Sequence, residues 1–316
     1  MEAKGTAAAA AGVVVKQTAM GFMAPTARTG EGDDVAPPRD TPILQFSSAG
    51  NDSVALTWWL ALRGFTRVKV LFTDTGWAAP GWLDRVQRMA RWVEGLGFEF
   101  VGLPPVSFGE HGEGLPGLVR AKKGWPRNGL QFCTGELKIK PAHDWLEAND
   151  PERRLVCAVG VRRGESQARA DYPAMLHESG AHGGRPRFAP LVDYSASDRD
   201  WLLTNAGWEP LDHNSDECFP CINSNRSDLR RVADVPERVR QIEALEAEMG
   251  MTSKGKPRVM FRPYRHQGAT GVREVLRWAA SGPGQYAPPP GSQVKPDATD
   301  EALDQLDLCA DGWCGL

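Results

Sequence analysis

Apolar residues fall in short continuous runs, each followed by a stretch with helical spacing. Residues 43–46 read as a first strand. Residues 52–62 then place Val54, Trp58 and Leu62 on one helical face before Gly64 stops the helix. A second strand is predicted over 68–72 and a helix over 83–96. Residues 98–103 give a third strand, 138–147 a helix and 155–161 (LVCAVGV) a fourth strand. Strands that are apolar throughout belong in a sheet covered on both faces. Strand–helix alternation with right-handed crossovers makes that sheet doubly wound and mostly parallel. The expected fold class is therefore α/β, with a helical C-terminal region. Ligands in such sheets sit beyond the carboxyl ends of the strands, which directs attention to the loops there.

Outside this alternation the pattern changes. Residues 1–40 are rich in Ala, Gly, Thr and Pro, carry acidic Glu31, Asp33 and Asp34, and hold no sustained period. They read as a disordered leader to a domain spanning 41–235. Residues 236–281 read as a helical extension, because Val235, Val239, Ile242 and Met249 fall on one side of an amphipathic helix. The run GPGQYAPPPGSQVKP opens a flexible linker and tail over 282–316 that ends in LCADGWCGL. Trp58, Trp59, Trp145, Trp201 and Trp278 read as packing residues. The single, scattered histidines receive no role.

Composition narrows the class. Of 316 residues 41% are apolar and 24% charged, as in ordinary globular proteins. A net charge of −3 gives no global attraction to nucleic acid or membrane, although Arg226, Arg230 and Arg231 would suit a local groove. Residues 7–15, between Lys4 and Lys16, are mostly alanine and too short for a spanning helix of about 20 residues. A cytoplasmic protein is expected, and its six cysteines then suit metal binding, redox work or burial better than structural disulfides.

The loop after the first strand reads Ser47-Ser48-Ala49-Gly50-Asn51-Asp52-Ser53. Small residues at a helix start let backbone amides approach a phosphate, and Asp52 suits a Mg²⁺ ion bridging to it. The same residues are also ordinary helix caps. Ser48 to Ser53 resembles the Ser-Gly-Gly-x-Asp-Ser pyrophosphate loop of the PP-loop superfamily, with Ala49 in place of a glycine and Asn51 where many members have lysine. Asp74-Thr75-Gly76, at the end of the second strand, is similar to the Asp-Thr-Gly of the phosphoadenosine-phosphosulfate (PAPS) reductase branch. The Pro-Glu-Thr that usually follows is absent. Cys133-Thr134 with Lys138 and Pro141 resembles the Cys-Thr…Lys…Pro element of that branch. Residues 160–170 (GVRRGESQARA) resemble its Gly-x-Arg-x-x-Glu-Ser-x-x-Arg-Ala segment.

The chain is thus identified with the PAPS reductases and N-type ATP pyrophosphatases, whose fold is adenine nucleotide alpha hydrolase-like. The resemblance implies a nucleotide site at Ser48, Gly50, Asn51, Asp52, Ser53, Asp74, Gly160, Arg162, Arg163, Ser166 and Arg169. It implies PAPS or ATP as substrate, Mg²⁺ with ATP, and Lys138 and Glu165 in the chemistry. Arginine suits such a site because its planar fork binds phosphate or sulfate through two hydrogen bonds.

Cys218-Phe219-Pro220-Cys221 is a candidate metal or redox motif, with Cys133 as third thiol and a [4Fe–4S] cluster as one occupant. Cys157 lies inside a strand and reads as core. Cys314 invites comparison with the tail nucleophile of PAPS reductases, Cys309 being a second thiol nearby. Reduction of PAPS with a thiol electron donor is one expected reaction. Adenylation by ATP with sulfur transfer, as in DNA phosphorothioation or tRNA thiolation on a nucleic-acid substrate, is the other. A catalytically idle nucleotide-binding subunit is a third reading, motivated by Ala49 and Asn51.

Overall fold

The computed structural model describes residues 30–127, 130–262, 266–282 and 285–287. The chain order begins with a one-turn helix α1 (Glu31–Asp34), then β1 (Ile43–Ser47), α2 (Asn51–Leu62), β2 (Val68–Thr73), α3 (Trp82–Gly95) and β3 (Glu99–Leu103). After α4 (Gly114–Lys122), the short α5 (Phe132–Thr134) runs through a π-helical turn (Gly135–Ile139) into α6 (Lys140–Asn149). Strands β4 (Val156–Ala158), β5 (Met175–Ser179) and β6 (Arg185–Phe188) follow. Helices α7 (Ala196–Asn205), α8 (Arg226–Ala233), α9 (Pro236–Met249) and α10 (Gly271–Ala280) complete the order.

The six strands form one sheet in the order β3-β2-β1-β4-β6-β5, parallel throughout except for the β5–β6 pair. Ile43 of β1 is in register with Val68 of β2 on one side and with Val156 of β4 on the other. The strand order therefore reverses between β1 and β4. That switch point opens a crevice at their carboxyl ends.

Alternate strand residues feed two cores. Ile43, Val68, Val70, Phe72 and Val156 pack with α2 and α3, whereas Leu44, Phe46, Leu71 and Cys157 pack with Ala142 and Leu146 of α6. This two-sided covering explains why β1, β2 and β4 are mostly apolar. A third apolar cluster joins Trp77 and α4 to α8, α9 and α10. Gln45 is fully buried in β1, where its amide donates to the Ser53 carbonyl at 2.7 Å and accepts from the Thr57 hydroxyl at 2.9 Å. These bonds fix the start of α2 against the strand that precedes it.

The sheet has two strands that the hydropathy pattern does not reveal. β5 is a mostly exposed edge strand, and β6 carries two arginines. Arg185 is fully buried, with its Nε on Asp150 at 2.7 Å and an Nη on Glu147 at 3.0 Å. Other boundaries also move. The fourth strand contracts to three residues, and the 138–147 helix begins as a π turn. The face expected for α2 is corrected, since Leu62 is 49% exposed while Val54, Ala55, Trp59 and Leu60 are buried. Trp201 is exposed rather than packed inside. Residues 30–40, read as part of a disordered leader, carry α1, whose Asp33 accepts from Arg63 at 2.7 Å. Cys309 and Cys314 lie outside the described residues. Among those described, no helix is long and apolar enough to cross a membrane.

Candidate functional site

Three strand ends and their loops converge on the crevice. The loop after β1 passes through Ala49 at φ 60, the left-handed region that a glycine adopts without cost. That conformation accounts for the glycine usual at this position in similar loops, and alanine is the smallest side chain able to replace it. The loop is braced by its own hydroxyls. The Ser48 amide donates to the Ser53 Oγ at 3.1 Å, the Ala49 amide to Ser47 Oγ at 3.1 Å and the Gly50 amide to Ser48 Oγ at 3.3 Å. These donors are the groups that an incoming phosphate would recruit at the N-terminus of α2.

Gly50 and Gly160 are small for steric reasons. A Cβ on Gly50 would lie 3.1 Å from Ser215 Cβ, and one on Gly160 would lie 3.0 Å from the Asp52 carbonyl. The loop after β4 thus packs directly under the start of α2. Arg162 leaves this loop and donates its Nε to Asp52 Oδ1 at 2.6 Å. A second nitrogen of Arg162 reaches Glu165 at 3.1 Å, and Arg169 pairs with the other Glu165 oxygen. Arg199 of α7 stands 3.9 Å from the second Asp52 oxygen. Burial, then the Asp52 charge, push the Glu165 carboxyl above its usual range against the pull of Arg169 and Arg162. Two carboxylates and three guanidinium groups therefore share one side of the crevice. Asp200 pairs with Arg199 at 2.6 Å and balances the third charge, while the guanidinium groups of Arg162 and Arg169 are the ones suited to an anionic ligand.

Not every expected residue faces that ligand space. Asn51 spends both ends of its amide on the backbone of Leu211, donating to its carbonyl and accepting from its N–H, each at 2.9 Å. It holds the 207–216 segment against the loop. Arg163 turns toward the leader, where it meets Glu31 at 2.6 Å, Asp193 and the Tyr172 carbonyl. Asp74 caps its own turn by accepting from the Gly76 amide at 2.8 Å. Ser166 joins two one-turn helices, with its carbonyl accepting from the Arg169 amide at 3.1 Å.

The loop after β2 is stitched to the Cys-Phe-Pro-Cys segment. Thr75 donates to the Glu217 carbonyl, the Phe219 amide to the Trp77 carbonyl at 2.8 Å and the Ala79 amide to the Asp216 carbonyl at 2.9 Å. Lys138, from the π turn, pairs with the buried Glu217. Burial pushes Glu217 up to about 7 despite that lysine; burial also opposes the Lys138 charge, yet Glu217 holds Lys138 above its ordinary value. Cys133, Cys218 and Cys221 surround this pair closely enough to feel one another and the lysine. Burial raises Cys133 to about 11, while its hydrogen bond with Cys221, followed by burial, raises Cys218 well above the thiol range. All three are free thiols, partly exposed, and Cys157 is a buried core thiol.

Sequence thus groups Cys133 with Cys218 and Cys221 but does not place Lys138 and Glu217 among them. Among the described residues no three His, Cys, Asp or Glu side chains are placed to hold a metal ion. Glu217 and Arg199 escape sequence reading because nothing local marks a carboxylate for burial or an arginine for a distant partner.

A family model described as the phosphoadenosine phosphosulfate reductase domain matches residues 42–209. Among solved structures, the chain is similar to the phosphoadenylyl-sulfate (PAPS) reductase of Candida auris, solved as a phosphate complex. Identity is 17%, coverage 54% of this chain and 75% of that one, and the TM-score 0.39. It is also similar to the NH3-dependent NAD synthetase of Campylobacter jejuni, in complex with the nitrate ion. There identity is 15%, coverage 55% and 68%, and the TM-score 0.34. No curated protein matches the chain.

Proposed function

The chain belongs to the phosphoadenosine phosphosulfate reductase domain family, and from that premise we propose that it is an enzyme holding PAPS or ATP across the β1 and β4 strand ends. One observation carries the reading: Arg162 bonds Asp52 and joins the loop after β4 to the loop after β1 at the switch point of the sheet. The phosphates lie against the amides and hydroxyls of Ser48 to Ser53. Arg162 and Arg169 supply the cationic side, and Glu165 keeps both in place.

Sulfur chemistry on PAPS follows from the thiols. The Cys314 thiolate attacks the sulfonyl sulfur, expelling adenosine 3′,5′-bisphosphate and leaving a cysteine S-sulfonate. A second thiol then attacks the Cys314 sulfur, releasing sulfite and forming a disulfide, which an external dithiol reduces. Lys138 keeps its positive charge beside Cys133 and Cys218, which opposes the effect of burial on both thiols.

Asp52 favours a second reading, ATP pyrophosphatase chemistry with sulfur transfer to a nucleic acid. Its carboxylate stands at the phosphate loop with 26% of the side chain exposed. It would hold a nucleotide-bound Mg²⁺ once its bond to Arg162 loosens, with the ion neutralising the phosphates. Product analysis on reduced protein separates the two reactions. Sulfite and adenosine bisphosphate from PAPS, lost in Cys314→Ser, establish the first. Pyrophosphate and AMP from ATP establish the second. Silence with both substrates refutes both and leaves a nucleotide-binding subunit.

A further inference from the structure

Beside the phosphate loop lies a cavity of about 600 Å³, walled by α3 on one side and by residues 207–212 on the other. Arg85 and Arg88, one helical turn apart, line the first wall; Glu209, Leu211 and Asp212 line the second. Both guanidinium groups stack on a single indole, that of Trp208, at 4.8 Å for Arg85 and 3.9 Å for Arg88. Stacking fixes their direction, as an ion pair elsewhere would. Neither arginine has an ion-pair partner among the described residues, and the Arg85 Nη2 is buried without an acceptor. Two adjacent unneutralised cations are unfavourable alone. Burial, then the Arg88 charge, draw Arg85 down to about 10, so it still carries its proton at neutral pH. A buried donor lacking an acceptor calls for a partner, and beside a second guanidinium group an anion is the partner that also offsets the charge.

We propose that Arg85 and Arg88 bind one free inorganic oxyanion, sulfate or phosphate, at a second site that stays available while the nucleotide loop is filled. Two guanidinium forks side by side match the oxygens of a tetrahedral anion. Glu209 and Asp212 on the facing wall add negative charge there, so an anion is drawn to the Arg85–Arg88 side of the cavity. The site is linked to the loop at two points. Arg85 Nε donates to the Ala49 carbonyl at 2.8 Å, and Leu211 is held by Asn51. Occupancy therefore alters nucleotide affinity, and by linkage the nucleotide alters oxyanion affinity by the same factor.

Calorimetric titration of the full chain with sodium sulfate and with inorganic phosphate, each with and without saturating ATP, tests this. One oxyanion site should persist with ATP bound. Arg88→Gln, an exposed position, should weaken it at least tenfold and leave ATP affinity within about twofold. Arg85→Gln should weaken it equally, and Arg88→Lys should restore part of it. Loss of all oxyanion binding under ATP would place the anion in the nucleotide loop and overturn the proposal, as would unchanged affinity in both glutamine variants. Absence of any oxyanion binding would also overturn it. Failure of ATP to bind, with oxyanion binding intact, would count against the nucleotide reading alone.

Discussion

Arg162 Nε meets Asp52 Oδ1 at 2.6 Å across 110 residues of sequence. The bond closes the β1 and β4 loops around one crevice, and both side chains are shielded, at 8% and 26% exposure. A charge-assisted hydrogen bond in that setting should couple the two residues by about 1–3 kcal/mol. A double-mutant cycle with Asp52→Asn and Arg162→Gln, read by urea denaturation, measures it. Strict additivity would show that the loops are held by other contacts.

The positive φ of Ala49 predicts opposite outcomes at neighbouring positions. Ala49→Gly removes a left-handed cost of about 1–2 kcal/mol and gives back part of it as unfolded-chain entropy, so the melting temperature should rise. Gly50→Ala drives a Cβ toward Ser215 and Ser48 and should lower both stability and nucleotide affinity. A fall in melting temperature for Ala49→Gly would contradict the loop conformation.

Removing one partner of the Lys138–Glu217 pair leaves a buried charge alone. Glu217→Gln should therefore cost about 3–5 kcal/mol, whereas Lys138→Met combined with Glu217→Leu should recover most of it. Chemical denaturation of the three variants provides the comparison. An equally unstable double variant would show that the pair stabilises through more than mutual neutralisation.

His182 is buried beside Arg187 and His143, and burial first, then those charges, lower it to about 3. An unfolded histidine takes up a proton below about 6.5 that the folded one refuses, so stability declines as pH falls from there toward about 3. The slope reaches at most about 1.4 kcal/mol per pH unit from this residue. His182→Asn should flatten that stretch in denaturation curves taken from pH 7 to pH 4. An unaltered slope would assign the decline to other groups.

How far the sequence discloses all this depends on distance along the chain. Mostly apolar runs mark β1, β2 and β4, strands covered on both faces, and the edge strand β3 is marked by its apolar Phe100, Val101 and Leu103. β6 stays hidden because Arg185 is satisfied by Asp150 and Glu147, partners on another element. Local motifs likewise place Ser48, Asp52, Arg162 and Arg169 near one another. They do not reveal the partners of Asn51 and Arg163, since Leu211, Glu31 and Asp193 are supplied only by folding. The three thiols are legible as a group, while their burial around Lys138 is not.

Equilibrium titration of the full chain with PAPS and with Mg·ATP, repeated on Arg162→Gln, tests the central claim most directly. The account predicts one nucleotide per chain for the natural sequence and at least a tenfold weaker affinity for the folded variant. Undiminished affinity in Arg162→Gln, or no nucleotide binding by the natural chain, would contradict it.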